Sequence, residues 1–356
     1  MELLILFLVL IPILAAISGF LTKRYTMFSI IGSLINLILC IYLYFPLNTG
    51  KIIEVSYIFS CFDSGLTLRL DFLSYIFISI VSLVWVLASV YSKPYIKKDN
   101  RLPRYYIFLL LTYSSLMGLF LSADFLTLFL FFEIMTIASY VLVVHDENKK
   151  VRRGGFYYLF MGIVGGLLIL WGTVFLYKIS GNINIEHHIL NSNQFIPLKY
   201  AAGFLLIAGF GVKAGMVPLH IWLPRAHPVA PSPASALLSG IIIKAGAYGI
   251  LRVVIHLYWL PKFEINIVKF MGSGLIYIGI LTMFVGVVQA LTQVNFKKML
   301  AYHSISQMGY ILVGFGVTAY LGNHGAFGFT GSIYHIVNHA LFKTNLFLIL
   351  GAIYFI

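Results

Sequence analysis

The chain has 356 residues, 60% of them hydrophobic and only 10% charged, with a mean hydropathy of +0.96. Soluble domains carry about 25% charged residues, so this composition excludes a water-soluble globule and requires lipid as the solvent. The formal charge of +13 is spread over short loops between apolar runs, which excludes a nucleic-acid footprint.

Mainly apolar spans of about 20 residues are predicted at 2–20, 27–46, 71–92, 105–122, 124–144, 155–177, 199–223, 233–257, 266–291, 298–319 and 329–355. These eleven spans predict an all-α, polytopic membrane protein. The first opens Met-Glu-Leu-Leu without a positive n-region, so it reads as a retained span rather than a cleaved leader. Of the two cysteines, Cys40 falls in a span and Cys61 in a loop. Two isolated thiols cannot hold an iron–sulfur cluster, and both read as small hydrophobes. Polar stretches reach only about 20 residues, so a catalytic or cofactor-bearing domain is expected on a partner, with no cofactor in this chain.

The span at 199–223 is irregular, because Gly209, Gly211, Gly215 and Pro218 interrupt it, and Pro224, Pro228, Pro231 and Pro233 follow. Broken helices persist at membrane depth where protein or a water-filled cavity satisfies the freed backbone groups. Ser232-Pro233 reads as an N-cap followed by proline at the first helical position. The odd-numbered loops hold 14 Lys and Arg and the even-numbered ones seven, Arg252 among the latter. The positive-inside rule therefore places the odd loops in the cytoplasm and the N-terminus outside, in a prokaryotic inner membrane.

Three basic residues remain inside spans: Lys213, Lys244 and Lys343. Glu133 is the one acid near a span centre. A charge at that depth costs about 2.5–3.5 kcal/mol on insertion scales, so these groups pair, face a cavity or stay neutral. One reading is a static Glu–Lys pair pinning helices together. The other is a proton relay in which Glu133 tunes Lys213, which hands its proton to Lys244. His335, His339 and Lys343 recur at i+4 and share one helix face. That face suits proton transfer, since neutral imidazole both donates and accepts. Polar packing against Asn338 and metal ligation are the alternatives, although no third ligand lies nearby and HExxH is absent. His220 and His227, in the proline-rich break, read either as an entrance or as interfacial groups held by carbonyls. His303, with Gln307 one turn on, extends the polar axis, and Asp124 is either a helix cap or a channel mouth. His187 and His188 fall in a loop with no specific role.

Three stretches carry a resemblance. They are Phe132-Glu133-Ile-Met-Thr-Ile-Ala-Ser139-Tyr140; Gly209-Phe-Gly-Val-Lys213-Ala-Gly-Met-Val-Pro218-Leu-His220-Ile-Trp222-Leu-Pro224, running on to Lys244-Ala-Gly-Ala-Tyr-Gly; and Lys298-Met-Leu-Ala-Tyr302-His303-Ser304, with Asn338-His339-Ala-Leu-Phe-Lys343 downstream. Together they resemble the antiporter-like membrane subunits of complex I, Mrp antiporters and membrane-bound [NiFe] hydrogenases. The resemblance implies inverted five-helix repeats, each with a broken helix bearing a lysine. Residues 1–104 would hold spans 1–3, 105–258 the first repeat and 259–356 part of the second. It also implies a central axis through His335, His339 and Lys343, with neighbouring membrane subunits and peripheral redox subunits as partners. The family has about fourteen spans, so the second broken helix is expected on a further segment or another chain. Arg225 stands where complex I relatives place an acid, which resembles the hydrogenase and formate hydrogenlyase branch. An Mrp-type sodium/proton antiporter subunit and a non-conducting anchor are the competing functions.

Overall fold

The computed structural model describes residues 2–61, 64–97, 99–185, 196–259 and 265–355. His187, His188, Lys98 and Lys262 lie outside the described residues. The helices are α1 (Glu2–Thr22), α2 (Tyr25–Asn48), α3 (Phe72–Tyr95), α4 (Leu102–Leu121), α5 (Phe125–Val143) and α6 (Lys149–Ser180), followed by α7 (Ile196–Ala214), α8 (Leu223–Ala226) and α9 (Ser232–Leu237). A π-helical turn (Leu238–Ile242) joins α9 to α10 (Ile243–Trp259), and α11 (Ile265–Leu291), α12 (Phe296–Leu321) and α13 (Ala326–Phe355) complete the chain.

All eleven predicted spans are present. The apolar stretch Phe296–Tyr354 runs 59 residues, too long for one crossing, since about 20 residues suffice. A 3₁₀ turn at Gly322–Gly325 divides it into α12 and α13. These two then pack so closely that a Cβ on Gly328 would lie 2.7 Å from the Gly314 carbonyl.

Asparagine and aspartate caps set several helix starts. Asp71, Asp124, Asn148 and Asn295 each accept a backbone N–H from the residue three positions on, at 2.7–3.0 Å, which satisfies one orphan donor of the first turn. α9 departs from the sequence reading, because Pro231 takes the cap position and Ser232 is already helical. The Ser232 hydroxyl is occupied elsewhere, accepting from Tyr95 at 3.1 Å.

An antiparallel hairpin, β1 (Ile53–Cys61) and β2 (Ser64–Leu70), is added between the second and third spans. Cys61 thus sits in a strand, not a loop. Alternation explains the hairpin: Ile53, Leu68 and Leu70 point into the core while Glu54 pairs with Arg69 at 2.7 Å on the outer face. β2 docks on the start of α5, with Ala123 N–H donating to the Thr67 carbonyl at 3.0 Å.

The span built from α9, the π turn and α10 lies at the centre of the bundle, with 94% of its apolar window buried against 28% for α11. Glycines allow its neighbours to come this close. A Cβ on Gly246 would lie 2.3 Å from the Ala214 nitrogen, so α10 crosses α7 in backbone contact there.

Candidate functional site

Lys213 occupies the last turn of α7, where the helix breaks. Gly215 follows with φ +75°, a left-handed conformation that favours glycine. The Val217–Pro218 peptide is cis, and a 3₁₀ turn (Leu219–Trp222) leads into α8. Protein groups satisfy the freed backbone. Trp222 Nε1 donates to the Val212 carbonyl at 2.7 Å, Met216 N–H to the Gly211 carbonyl at 2.9 Å, and Val217 N–H to Thr282 Oγ1 at 3.1 Å. The break is therefore a fixed geometry that holds Lys213 inside the bundle, 1% exposed. A cation in the last turn also suits the negative end of the helix dipole.

The Lys213 ammonium donates to Thr136 Oγ1 at 3.1 Å and to the Tyr158 hydroxyl at 2.8 Å, and sits 4.4 Å from the Tyr158 ring centroid. Tyr158 in turn shares a hydrogen bond with Ser139 Oγ. Glu133, at the middle of α5, lies one turn before Thr136. Its Oε1 is buried without a hydrogen-bond partner, and no ion pair joins it to Lys213. Gly166 of α6 opposes it, where a Cβ would lie 1.7 Å from Oε1. The acid thus stands one turn along α5 from the threonine that holds the ammonium.

Lys244 begins the regular part of α10, 2% exposed, and donates to the Ser239 carbonyl at 2.8 Å. The π turn supplies that acceptor, and such turns mark functional sites often. Ser239 Oγ shares a 2.7 Å hydrogen bond with Ser304 Oγ of α12, tying the turn to the next span. A small cavity of about 10 Å³, lined by Lys244, Ile241, Phe77, Phe120, Ile336 and Ala340, abuts the lysine. Lys213 and Lys244 flank the α7–α10 crossing at Gly246 and Ala214 but share no hydrogen bond.

On α13, the His335 and His339 rings lie parallel with centroids 5.9 Å apart. Lys343 is fully buried and donates to the Leu300 carbonyl at 2.8 Å. Both nitrogens of His339 are buried without partners, as are His335 Nε2 and His303 Nδ1. Phe342 bridges His339 and His303, at 5.2 and 6.4 Å between centroids. Lys244 lines the same small cavity as Ile336 and Ala340, the neighbours of His335 and His339 on α13. The structure therefore gathers buried His339, Lys343 and Lys244 and half-buried His335 and His303 into one polar row.

The entrance candidates divide. His227 is fully buried, stacks on Phe347 at 5.1 Å one turn beyond Lys343, and has no partner at either nitrogen, so it is not an interfacial group. His220 faces Tyr302 at 6.5 Å, and its Nδ1 is buried without a hydrogen-bond partner. Asp124 is a helix cap, accepting from both the backbone N–H and the hydroxyl of Thr127 at 2.7 and 2.6 Å. Burial raises its carboxyl above the usual range despite these hydrogen bonds.

A family described as NADH:quinone oxidoreductase/Mrp antiporter, TM, matches residues 122–355, the region holding Glu133, Lys213, Lys244 and the α13 row. A second, described as NADH-Ubiquinone oxidoreductase (complex I), chain 5 N-terminus, matches residues 58–106. The chain belongs to this antiporter-like family. Hydrogenase-4 component B of Escherichia coli (strain K12) is 34% identical over 298 residues, covering 82% of this chain and 44% of the relative. A chain bearing the name antiporter subunit mnhA2 from Staphylococcus aureus (strain JH9) is 34% identical over 333 residues, covering 87% of this chain and 40% of the relative. The protein thus spans less than half the length of these relatives. Among solved structures, the archaeal membrane-bound sulfane sulfur reductase matches with TM-score 0.86 at 23% identity, over 99% of this chain and 71% of that one. The Mrp complex from Dietzia sp. DQ12-45-1b matches with TM-score 0.86 at 23% identity, over 99% and 64%. These two likenesses establish a shared fold.

Other groups in this antiporter-like chain escaped the sequence reading. Tyr158 carries no signal in the sequence, and Thr136 and Ser139 enter only as part of the Phe132–Tyr140 stretch, with no role of their own, although they stand at i+3 and i+6 from Glu133. Arg252, counted as a loop residue, is 6% exposed; it pairs with Asp71 at 2.7 Å and donates to Tyr248 and Ser74 at 2.9 Å each. Lys297 donates to the Ala230 carbonyl at 2.8 Å in the proline-rich break. Among the described residues, the group that could hold a metal ion is Asp99, His145 and Asp146, with ligand atoms within 4.8 Å of one another. There His145 Nε2 already bonds Asp99 at 2.8 Å, while Arg101 and Arg104 take the His145 carbonyl, so the cluster clamps the α3–α4 loop to the end of α5.

Proposed function

We propose that this chain is a proton-translocating membrane subunit of a redox-driven, energy-converting complex. The observation that carries the reading is a buried lysine held by neutral hydroxyls near a half-buried carboxylate whose Oε1 has no hydrogen-bond partner. A static pair would put the opposite charges in contact, because separating them at this depth is unfavourable. Neutral holders let the ammonium swing between Thr136 and Tyr158 on one side and Glu133 on the other. Each position gives the lysine a different proton affinity, which is what a switch requires.

From Lys213 the proton would pass to Lys244 and along His335, His339 and Lys343, with His303 beside the row and His220 and His227 toward the break. The open nitrogens of these imidazoles offer the donor and acceptor sites for such a path. The same reading takes residues 105–258 as a first repeat and 259–356 as the start of an inverted second. It places the basic loops in the cytoplasm of a prokaryotic inner membrane with the N-terminus outside, and assigns electron transfer to peripheral subunits beside neighbouring membrane subunits. The hydrogenase-4 relative and the arginine at position 225 favour the redox-driven form.

Proton uptake into inverted vesicles carrying the assembled complex tests the reading. Glu133→Gln and Lys213→Met should each abolish electron-donor-driven uptake while the complex still assembles; uptake that survives both changes would leave the chain as a non-conducting anchor. The mnhA2 relative and the Mrp structure favour a second reading, sodium/proton exchange. Sodium-22 uptake driven by an imposed pH gradient, without an electron donor, would establish that alternative.

A further inference from the structure

A crevice on the basic side of the bundle is unused by the ion path. It is a cavity of about 380 Å³ between the start of α6, α8 and the start of α12, within the roughly 300–1,000 Å³ range of small-ligand sites. Four cations line it, Lys150, Arg153, Arg225 and Lys298, and among the described residues no carboxylate does. Among the described residues none of the four forms an ion pair; Arg225 instead lays its guanidinium 3.7 Å from the Tyr157 ring centroid. Gly154 forms the floor, where a Cβ would lie 2.7 Å from the Arg225 carbonyl, so α6 and α8 meet there without a side chain between them.

The placement of these charges runs against local preference. Lys150 and Arg153 stand at the start of α6, and Lys298 in the first turn of α12, where the helix dipole favours anions and opposes cations. Like charges gathered at two such ends repel one another, and an anion seated between them relieves both the repulsion and the dipole mismatch. Below the crevice, α6 turns apolar on a continuing face. Phe160, Leu167 and Trp171 follow Tyr157 at helical spacing and are 52%, 51% and 57% exposed.

We propose that this crevice binds the phosphate of an anionic glycerophospholipid, with the acyl chains lying along the exposed face of α6. A phosphate matches four convergent cations, and the apolar stripe directly beneath commits the occupant to a lipid rather than a free anion. Basic pockets between spans on the cytoplasmic side hold lipid headgroups by this same chemistry.

Native mass spectrometry of the complex purified from its membranes tests this, with added phosphatidylglycerol or phosphatidylcholine as the probe. Phosphatidylglycerol should be retained over phosphatidylcholine, and Arg153→Gln with Arg225→Gln should weaken retention by roughly 30-fold, two surface charges' worth. Lys23→Gln with Arg24→Gln, an equal loss of charge on another basic loop, should leave retention unchanged. If the first pair fails to fold, Lys150→Gln with Lys298→Gln should reproduce its loss. Retention insensitive to both crevice pairs would overturn the proposal. So would displacement of the lipid by millimolar inorganic phosphate, or a neighbouring subunit's carboxylate cross-linking to Lys150 in a complex that carries no lipid there.

Discussion

The ammonium of Lys213 reaches the hydroxyl of Thr136 at 3.1 Å, one turn along α5 from Glu133. The ammonium therefore gives Thr136 a hydrogen bond that in a direct ion pair would go to the carboxylate. Tyr158 holds the same ammonium from α6 at 2.8 Å, so the resting lysine belongs to two hydroxyls and not to its acid. The break in α7 fixes the lysine's base, while its four-carbon stem leaves the charge able to move.

Tyr158→Phe removes one of the two acceptors while keeping the ring beneath the ammonium. A hydrogen bond to a charged group contributes about 1.5–3 kcal/mol, so the lysine should shift toward Glu133. Proton uptake by vesicles should then slow about tenfold, and Tyr158→Phe with Thr136→Val should slow it further. Dye-quench rates in reconstituted complex check this, and an unchanged rate in the double variant would remove the hydroxyls from the mechanism.

Two glycines separate function from folding. Gly166→Ala puts a methyl 1.7 Å from Glu133 Oε1, the mobile end of a side chain, so uptake should fall while the melting temperature barely moves. In a Glu133→Gln background the same change should do nothing more to uptake. Gly246→Ala instead meets backbone, 2.3 Å from the Ala214 nitrogen and 2.5 Å from the Phe210 carbonyl. It should destabilise the protein by about 1–3 kcal/mol, as overpacking does, and thermal unfolding in detergent measures the contrast.

The charged groups at membrane depth were legible because each is expensive there, so Glu133, Lys213, Lys244 and the α13 row stand out of any apolar run. Their hydroxyl partners were not. Threonine, serine and tyrosine occur in every span, and nothing local marks Thr136 or Tyr158 as the ones facing Lys213. Arg252 and Asp71 lie 181 positions apart, and each reads alone as a span-end charge. The hairpin at Ile53–Leu70 was hidden because its alternation is short and lies among loop residues. The start of α9 slipped by one residue because a distant tyrosine claims the Ser232 hydroxyl that would have capped it.

The Asp71–Arg252 pair predicts a pH dependence of stability. Burial pushes the Asp71 carboxyl up, but the Arg252 charge and the hydrogen bonds from Ser74 and Arg252 outweigh it, leaving the group below the usual carboxylate range. A depressed acid contributes stability that is fully present above its unfolded value of about 3.9 and lost as pH falls through the lower folded value. Asp71→Asn should flatten the fall in melting temperature below about pH 4. At neutral pH it should cost about 3–5 kcal/mol, because Arg252 is left buried without its counter-charge.

His339 supplies the sharpest test of the α13 row. It is fully buried between the parallel ring of His335 and Phe342, with both nitrogens open. His339→Gln keeps a donor and an acceptor of similar reach but cannot take a proton at one atom while releasing one from another. If the row conducts, uptake should fall by about 10²–10⁴-fold, the usual worth of a positioned proton-transfer group, with assembly intact. If the ring only packs, His339→Gln should lower the melting temperature and leave uptake per assembled complex unchanged. Measuring both in one preparation separates the outcomes, since a conducting group and a packing group move different readouts.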